Sequence, residues 1–510
     1  MPALLLTTAN AKYHHCSLAL RCLYANLGDL RDQAIFLEFT TGEAAVDIAE
    51  KLLRQQPRLI GLSVYIWNVE LLTEVVALLK RLAPDVLVVL GGPEVSHTLD
   101  GLKIAALADY VVQGEGEVAF RELAERVLAG QRPDGKVIAG GLPDVATLVP
   151  PYAYYSDVDL RQRTLYVEAS RGCPYSCEFC LSALDLQVRH FPIEPLLEQF
   201  QRLLDRGARN FKFIDRTFNL KLELSARILE FFLERHQPGM LFHFELVPDR
   251  LPEGLRSIIA RFPAGALQFE VGVQSLNDVV GKRISRRQNL AKMEDNFRFL
   301  GTQTHAHVHA DLIIGLPGED LESFGAGLDR LYALGPQEIQ VGILKKLRGA
   351  PIARHDQAGA MVYSDSPPYE ILCTGAIDFP TMQRLKRFAF VWDRLVNRGN
   401  LNHTIPLLWG SGGPFGPVLA FADALYAQNG QVHALSLDRL TEQLHQFLVA
   451  RGDSPEGVMA AIEVDYLHHD RPLPASLRGA PTPQAAARES HRRRQLNHLG
   501  GRNPRGADLS

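Results

Sequence analysis

The chain has 510 residues, 46% of them hydrophobic and 22% charged, with a formal net charge of -4, a balance that fits a folded globular protein and excludes a disordered or collagen-like one. That charge gives no electrostatic reason for a nucleic-acid partner. Six cysteines over this length exclude a small disulfide framework and point to a reducing, cytoplasmic compartment.

The opening MPALLLTTAN has no basic stretch, and its apolar run is too short for a signal peptide. No uncharged run approaches a membrane span. Length suggests about three domains. Residues 1–130 alternate short apolar runs with helical periodicity. Strands are expected over 3–8, 34–39, 59–64, 85–90 and 110–112, with helices over 17–27, 44–53, 69–82 and after Glu117. This pattern predicts a parallel sheet covered on both faces, a flavodoxin-like (Rossmann-type) α/β domain. In such folds ligands sit beyond the carboxyl ends of the strands. The residues there are Thr7, Thr8 and Asn10; Ser63, Tyr65, Trp67 and Asn68; the turn Gly91, Gly92, Pro93, Glu94; and the turn Gly114, Glu115, Gly116, Glu117. Glycines admit a bulky ligand close to the backbone, although glycine at a strand end is also ordinary turn chemistry. Residues 131–163, with Gly140-Gly141, Pro143, Pro150-Pro151, Tyr152, Tyr154 and Tyr155, read as an irregular linker.

A second alternation starts at Thr164. Strands are expected over 165–169, 211–214, 241–247, 266–271, 307–314 and 339–343, with helices over 196–204 and 226–233. They predict a partial (β/α)6 barrel over 164–349, with its chemistry on the loops that follow the strands. The first such loop, EASRGCPYSCEFCLSAL, carries Cys173, Cys177 and Cys180 as CxxxCxxC, with Phe179 before the last cysteine. A zinc knot needs a fourth Cys or His, and the nearest, His190, follows an expected helix. Three thiolates can instead hold three irons of a four-iron cluster. The fourth iron then stays open, and an open metal position marks a reactive site. His305, His307 and His309 share one strand face, continued by Asp311. Three ligands from one strand rarely converge on one ion, so this stripe is expected to line the barrel, with His309 nearest a substrate.

The cysteine array, together with VGVQSLN at 271–277 and DLIIGLPGED at 311–320, resembles the radical S-adenosylmethionine (SAM) superfamily over residues 164–345. The resemblance implies a [4Fe-4S] cluster on Cys173, Cys177 and Cys180, the catalytic cysteines, with SAM on the open iron. It places Phe179, Glu270, Gln274 and Ser275 near SAM, and Gly315 and Pro317 beside its adenine. The superfamily's Gly-Gly-Glu is absent; FIDRTFN stands there, so Asp215 or Arg216 would take its place, a carboxylate for the SAM amine or a guanidinium for the SAM carboxylate. With the strand-end residues from Thr8 to Glu117 ahead of it, the N-terminal domain resembles the cobalamin-binding domain of many radical SAM enzymes. Those residues would then contact cobalamin. No Asp-x-His-x-x-Gly is present, so the lower face of cobalt is expected to lack a histidine, with Trp67 or Tyr65 shielding it. The implied activity is cleavage of SAM to a 5′-deoxyadenosyl radical and methylation of an unactivated carbon or phosphorus centre in a small molecule. A flavodoxin or ferredoxin would supply the electrons. The alternatives are cobalamin-dependent cyclisation, rearrangement or oxidation without methyl transfer, and a cobalamin- or redox-responsive binding protein.

Residues 365–373, DSPPYEILC, are expected to form a loop. Tyr369 or Glu370 would cover the barrel mouth, and Cys373 would donate hydrogen near substrate or be a small buried hydrophobe. Helices expected over 381–398, 435–448 and 456–462 predict a helical domain over 350–468, with Phe388, Trp392 and Leu395 as its core stripe. The tail 469–510 is expected to be disordered, its HRRR run at 491–494 a solvated charge run.

Overall fold

In the computed structural model of the chain, residues 2–478 are described; the HRRR run lies outside them. The chain divides between Gln383 and Arg384 into two compact units.

The first unit opens with strands β1 (Leu4–Asn10), β2 (Ala34–Thr40), β3 (Leu59–Ser63), β4 (Leu87–Gly91), β5 (Tyr110–Gly114) and β6 (Val137–Gly141). They form one sheet in the order β2-β1-β3-β4-β5-β6, all pairs parallel. The first five follow the flavodoxin-like order, in which ligands bind where the order reverses, between β1 and β3. Alternate side chains of each strand feed opposite faces. Leu5, Ile60 and Val88 join a core with α2 (Ala45–Leu53), α3 (Val69–Leu82) and α4 (Lys103–Leu107). Leu4, Leu6 and Val89 join another with α1 (Leu18–Ala25) and α5 (Glu117–Leu128). β1 is buried along its whole length. Its two hydroxyls are satisfied by Leu37 O at 2.9 Å from Thr7 and Ser63 O at 2.8 Å from Thr8. Strand β6 and helix α6 (Asp157–Gln162) lie in the stretch expected as irregular linker. β6 is a short, half-exposed edge strand, VIAGG, so it carries no buried apolar run that would announce it.

The barrel sheet consists of β7 (Leu165–Val167), β10 (Asn210–Phe213), β11 (Leu241–Leu246), β12 (Leu267–Gln274), β13 (His307–Ile314) and β14 (Glu338–Ile343), in the order β14-β13-β12-β11-β10-β7. A two-residue clip, β8 (Ser170–Arg171) with β9 (Arg189–His190), interrupts it after β7. Helices α7 (Ile193–Asp205), α8 (Leu222–Glu234), α9 (Glu253–Ile259), α10 (Asp278–Arg283), α11 (Leu290–Gln303) and α12 (Leu321–Ala333) follow the strands. Burial alternates strictly along β11 and β13. The outward set includes Phe211, Phe213, Phe242, Phe244 and Phe269, all essentially inaccessible; the first three interlock with Phe200 and Phe232 of α7 and α8, and Phe244 packs between Phe213 and Phe269. Burying each such ring stabilises by about 1.5–3 kcal/mol. The inward set is polar: Lys212, His243, Glu245, Gln268, Glu270, His309 and Asp311 are half-buried. Full barrels fill this space with branched apolar side chains, so the polar lining marks a lumen meant for a ligand.

Residues 350–378 do not begin a helical domain. They form a 3-10 turn, Pro351–His355, and a hairpin of β15 (Val362–Tyr363) with β16 (Ile371–Cys373). The expected loop at 365–373 thus ends in a strand, whose Ile371 is fully buried. Helix α13 (Phe379–Trp392) continues as a π-helical turn, Asp393–Asn397. Within the second unit α14 (Phe415–Asn429), α15 (Leu437–Arg451) and α16 (Pro455–His468) follow, and Phe388, Trp392 and Leu395 are core. α14 is apolar almost all round, which leaves no amphipathic stripe to read in the sequence.

Candidate functional site

The β8–β9 clip pairs Ser170 with His190 and Arg171 with Arg189 and closes residues 172–188 into a loop. Gly172 opens that loop at φ +87°, where a Cβ would run into the Gln187 carbonyl oxygen, so only glycine fits. Cys173 N–H donates to Asp185 O at 2.9 Å. Cys173 and Cys177 are buried, Cys180 half-buried, and all three are free thiols. Burial raises the Cys173 thiol pKa, and the neighbouring Cys180 and Cys177 push the same way. Arg286 Nη1 stands 3.3 Å from Cys177 Sγ. Three free thiols with a guanidinium beside them fit a cluster held on three thiolates. His190 is on β9, opposite Ser170, and outside the cysteine loop.

A cavity of about 820 Å³ lies between the carboxyl edge of the first sheet and the mouth of the barrel, near the upper end of ordinary ligand pockets. From the first sheet Asn10, Ser63, Tyr65, Trp67, Gly91 to Pro93 and Gly114 to Glu117 line it. From the barrel side come Tyr166, Glu168, Arg171, Gly172, Ser182, Lys212, Arg216, Glu245 and Glu270. Gly92 lies at φ +100°, and a Cβ there would meet Val64 O at 2.6 Å; the turn is glycine because the chain crosses β3 without clearance. Tyr65 and Trp67 stack at 4.4 Å and 8°, and Trp67 is 51% exposed. The donor set and glycine edge fit a large polar cofactor laid across the first sheet.

The barrel mouth holds a graded set of charges. Glu270 Oε2 takes His243 Nε2 at 3.1 Å and Lys212 Nζ at 3.0 Å, which hold its pKa down at about 2. Glu245 meets Arg216 Nη1 at 3.2 Å, yet burial raises its pKa. Asp311 is pushed up to about 8 by burial and then by Glu270 and Glu245; its Oδ1 is buried without a partner among the described residues. Near neutral pH this lumen therefore offers an ionised carboxylate at Glu270, the Arg216 guanidinium beside Glu245 and, at Asp311, a carboxyl group that holds its proton.

Several expected contacts face elsewhere. Asp215 is 2% exposed and accepts from Ala169 N–H at 2.9 Å and Ser170 Oγ at 2.6 Å. Burial raises it to about 7; it locks the clip, and its neighbour Arg216 faces the cavity. Thr8 and Asn68 are buried in a strand-end tie, with Asn68 Nδ2 on Thr8 Oγ1 at 3.1 Å and Ala9 O at 3.0 Å. Glu94 takes the Tyr369 hydroxyl at 2.6 Å and Arg348 Nε at 3.3 Å, so neither Glu94 nor Tyr369 is open to a ligand. Glu115 and Glu117 do line the cavity, but their carboxylates bind arginines of the clip: Arg171 reaches Glu115 at 2.8 Å and Glu117 at 2.7 Å, and Arg189 also pairs with Glu115. Gly315 is covered by Ile371 and Met382. Pro317 O accepts from Arg283 at 3.3 Å. Cys373 pairs in register with Val362, and Phe179 is half-buried in the cysteine loop. Gln274 is buried at φ +70° with its Oε1 unpartnered among the described residues. His309 lies deeper in the lumen, near Gln268 at 3.3 Å and Glu338 at 3.1 Å. Sequence reasoning did not single out Lys212, Glu245, Arg171, Arg286 or His15, which lines the cavity with Nδ1 on the Tyr166 hydroxyl at 2.6 Å. No motif marks them; for Lys212 and Glu245 the period-two alternation of polar side chains along their own strands was the one available signal.

Ser275 donates to Glu319 at 2.5 Å and is likewise turned from the cavity. Burial raises Glu319 to about 7 from 4.5. A raised acid pKa favours the folded state below the unfolded pKa, and that stability is lost as pH rises through the folded value. Glu319→Gln is expected to remove a fall of about 3 kcal/mol between roughly pH 4.5 and 7. Urea midpoints measured across that window check it; parallel pH profiles for variant and wild type would refute it.

A B12-binding domain model matches residues 4–124, a radical SAM superfamily model residues 167–331, and a model of a protein family of unknown function (DUF4080) residues 359–497. The chain is 28% identical over 356 residues to the cobalamin-dependent radical SAM methyltransferase TokK of Streptomyces tokunonensis, covering 63% of this chain and 50% of that protein. It is 28% identical over 359 residues to the 2-(S-pantetheinyl)-carbapenam-3-carboxylate methyltransferase of Streptantibioticus cattleyicolor, with the same 63% and 50% coverage. The chain thus spans about half the length of these curated relatives. In fold it is similar to the radical SAM methyltransferase TsrM of Kitasatospora setae, solved with cobalamin and a [4Fe-4S] cluster (TM-score 0.57, 18% identity, 72% of this chain and 82% of that one). It is also similar to the cobalamin-dependent SAM radical enzyme OxsB (TM-score 0.60, 15% identity, 91% and 84%). No helix among the described residues is long and apolar enough to cross a membrane. The chain thus carries a B12-binding domain ahead of a radical SAM domain, the domain pair found in cobalamin-dependent radical SAM enzymes.

Proposed function

We propose that this protein is a cobalamin-dependent radical SAM methyltransferase that methylates an unactivated carbon or phosphorus centre of a small molecule. One observation carries the reading: a single cavity is lined by the glycine turns of the B12-binding sheet and by the charged barrel mouth next to the cysteine loop. A [4Fe-4S] cluster would supply the electron that cleaves SAM, and cobalamin would carry the methyl group. Cys173, Cys177 and Cys180 would hold the cluster. Arg216, which lines the cavity, would take the SAM carboxylate by charge-assisted hydrogen bonds, and Gln274 Oε1 has no partner among the described residues. Asn10, Ser63 and the Gly91–Pro93 and Gly114–Gly116 turns would bed the corrin, with the Tyr65–Trp67 stack on its face. Asp311 can hold a proton near neutral pH within reach of the lumen. A flavodoxin or ferredoxin would reduce the cluster.

The test is anaerobic incubation of reconstituted, cobalamin-loaded protein with SAM and a strong chemical reductant. Wild type is expected to form 5′-deoxyadenosine, and Cys177→Ala to form none. S-adenosylhomocysteine should appear only when cobalamin is bound. 5′-Deoxyadenosine with no S-adenosylhomocysteine would replace methyl transfer by cyclisation, rearrangement or oxidation. Neither product would reduce the protein to a cofactor-responsive binder.

A further inference from the structure

The strand stripe at His307 and His309 acquires a third member from the neighbouring strand. β13 and β14 run parallel with His309 opposite Glu338. His307 Nε2 and His309 Nε2 each stand 3.1 Å from the same oxygen, Glu338 Oε1. The ligand atoms of the three residues all lie within 4.8 Å of one another. Two ligands of one tetrahedral zinc, with bonds of about 2.1 Å, are roughly 3.4 Å apart, so the two imidazole-to-carboxylate spacings of 3.1 Å are close to those of a coordination set. Geometry along the chain favours it too: residues i and i+2 of a strand project on one side, and the paired residue of the next strand reaches across to them.

His309 Nε2 stands 3.3 Å from the Gln268 amide group as well as 3.1 Å from Glu338. A cation at the meeting point uses both imidazole lone pairs and the carboxylate together. The side chains are 42%, 22% and 31% exposed for His307, His309 and Glu338, so a fourth position stays open to water. The site begins at the first residue of β13, at the amino end of the barrel strands and away from the cysteine loop.

We propose that His307, His309 and Glu338 form a binding site for a divalent transition metal, zinc foremost, at the amino end of the barrel. Neutral imidazoles and one carboxylate with an open position are a zinc donor set, whereas calcium and magnesium prefer all-oxygen shells.

The test uses the cluster-loaded, cobalamin-loaded protein, so that Cys173, Cys177 and Cys180 are occupied. After incubation with zinc chloride and desalting, about one zinc per chain is expected to remain, with nitrogen and oxygen ligands at the zinc absorption edge. His309→Ala should weaken zinc binding at least about tenfold, with iron and cobalamin contents unchanged. If His309→Ala does not fold, the more exposed His307→Ala serves in its place. Zinc retention equal in wild type and variant, no retained zinc in wild type, or sulfur in the zinc shell would overturn the proposal.

Discussion

Arg171→Ala is expected to lower the unfolding free energy by about 3–5 kcal/mol and to leave the cysteine loop unable to retain its iron. The guanidinium is the centre of a buried network. It reaches Glu115 at 2.8 Å, Glu117 at 2.7 Å and Glu168 at 2.7 Å, and is itself only 14% exposed. Removing it leaves Glu117 and Glu168, each 6% exposed, without their cation, while Glu115, 18% exposed, keeps only Arg189. Uncompensated buried charge costs far more than the net worth of an intact pair. Burial already raises the Glu168 pKa, against the pull of Arg171. Without the arginine it rises further, so the variant keeps Glu168 protonated over a wider range. A raised acid contributes its stability at low pH and loses it as pH climbs through the folded pKa. The deficit should therefore be smaller near about pH 5 than near about pH 8. Arg171→Lys, which keeps charge but not the fork, should fall in between. Urea midpoints at the two pH values and iron per chain after reconstitution are the readouts. An unchanged midpoint at the higher pH would show that the network contributes nothing.

That network also explains where sequence reasoning stopped. The turns after β3, β4 and β5 were legible because a parallel sheet presents its ligands at the carboxyl ends of its strands, although short polar residues there also serve as ties, as Thr8 and Asn68 do. The cysteine loop was legible because its spacing is local. What Glu115 and Glu117 do was not legible, because their partner Arg171 is 56 and 54 residues away. Charged residues at a strand end look the same whether they meet a ligand or an arginine of the next domain. Asp215 and Arg216 are sequence neighbours, and neighbours on extended chain point to opposite sides. The pair could be recognised, but which member faced the lumen depended on how β10 seats against β7. The histidine stripe is a third case. Its face was readable, but its carboxylate comes from β14, and a strand register is not written in either strand alone.

The second large effect falls at the other side of the same loop. Glu178 stands between Cys177 and Cys180 and is 2% exposed. Its carboxylate accepts from His355 Nε2 at 2.6 Å and Ser285 Oγ at 2.5 Å, and it pairs with Arg354. Its backbone is held as well, N–H on Ile284 O at 3.1 Å and O from Ile352 N–H at 2.8 Å. Two cysteines are thereby positioned by segments 107 and 177 residues downstream. Glu178→Ala is expected to cost about 3 kcal/mol, since hydrogen bonds to a charged group contribute about 1.5–3 kcal/mol each and Arg354, 59% exposed, recovers part of its share in water. Glu178→Gln keeps an acceptor for Ser285 and Arg354 and should lose roughly 1 kcal/mol. The functional consequence should exceed the stability loss, because a cluster on three thiolates has no fourth protein ligand to hold it while the loop moves. Iron retained after desalting should fall in the order wild type, Glu178→Gln, Glu178→Ala, and Ser285→Ala should fall between the last two. If Glu178→Ala binds iron like wild type while its urea midpoint drops, Glu178 supports the fold alone; if neither changes, the loop is held by its backbone bonds and the β8–β9 clip.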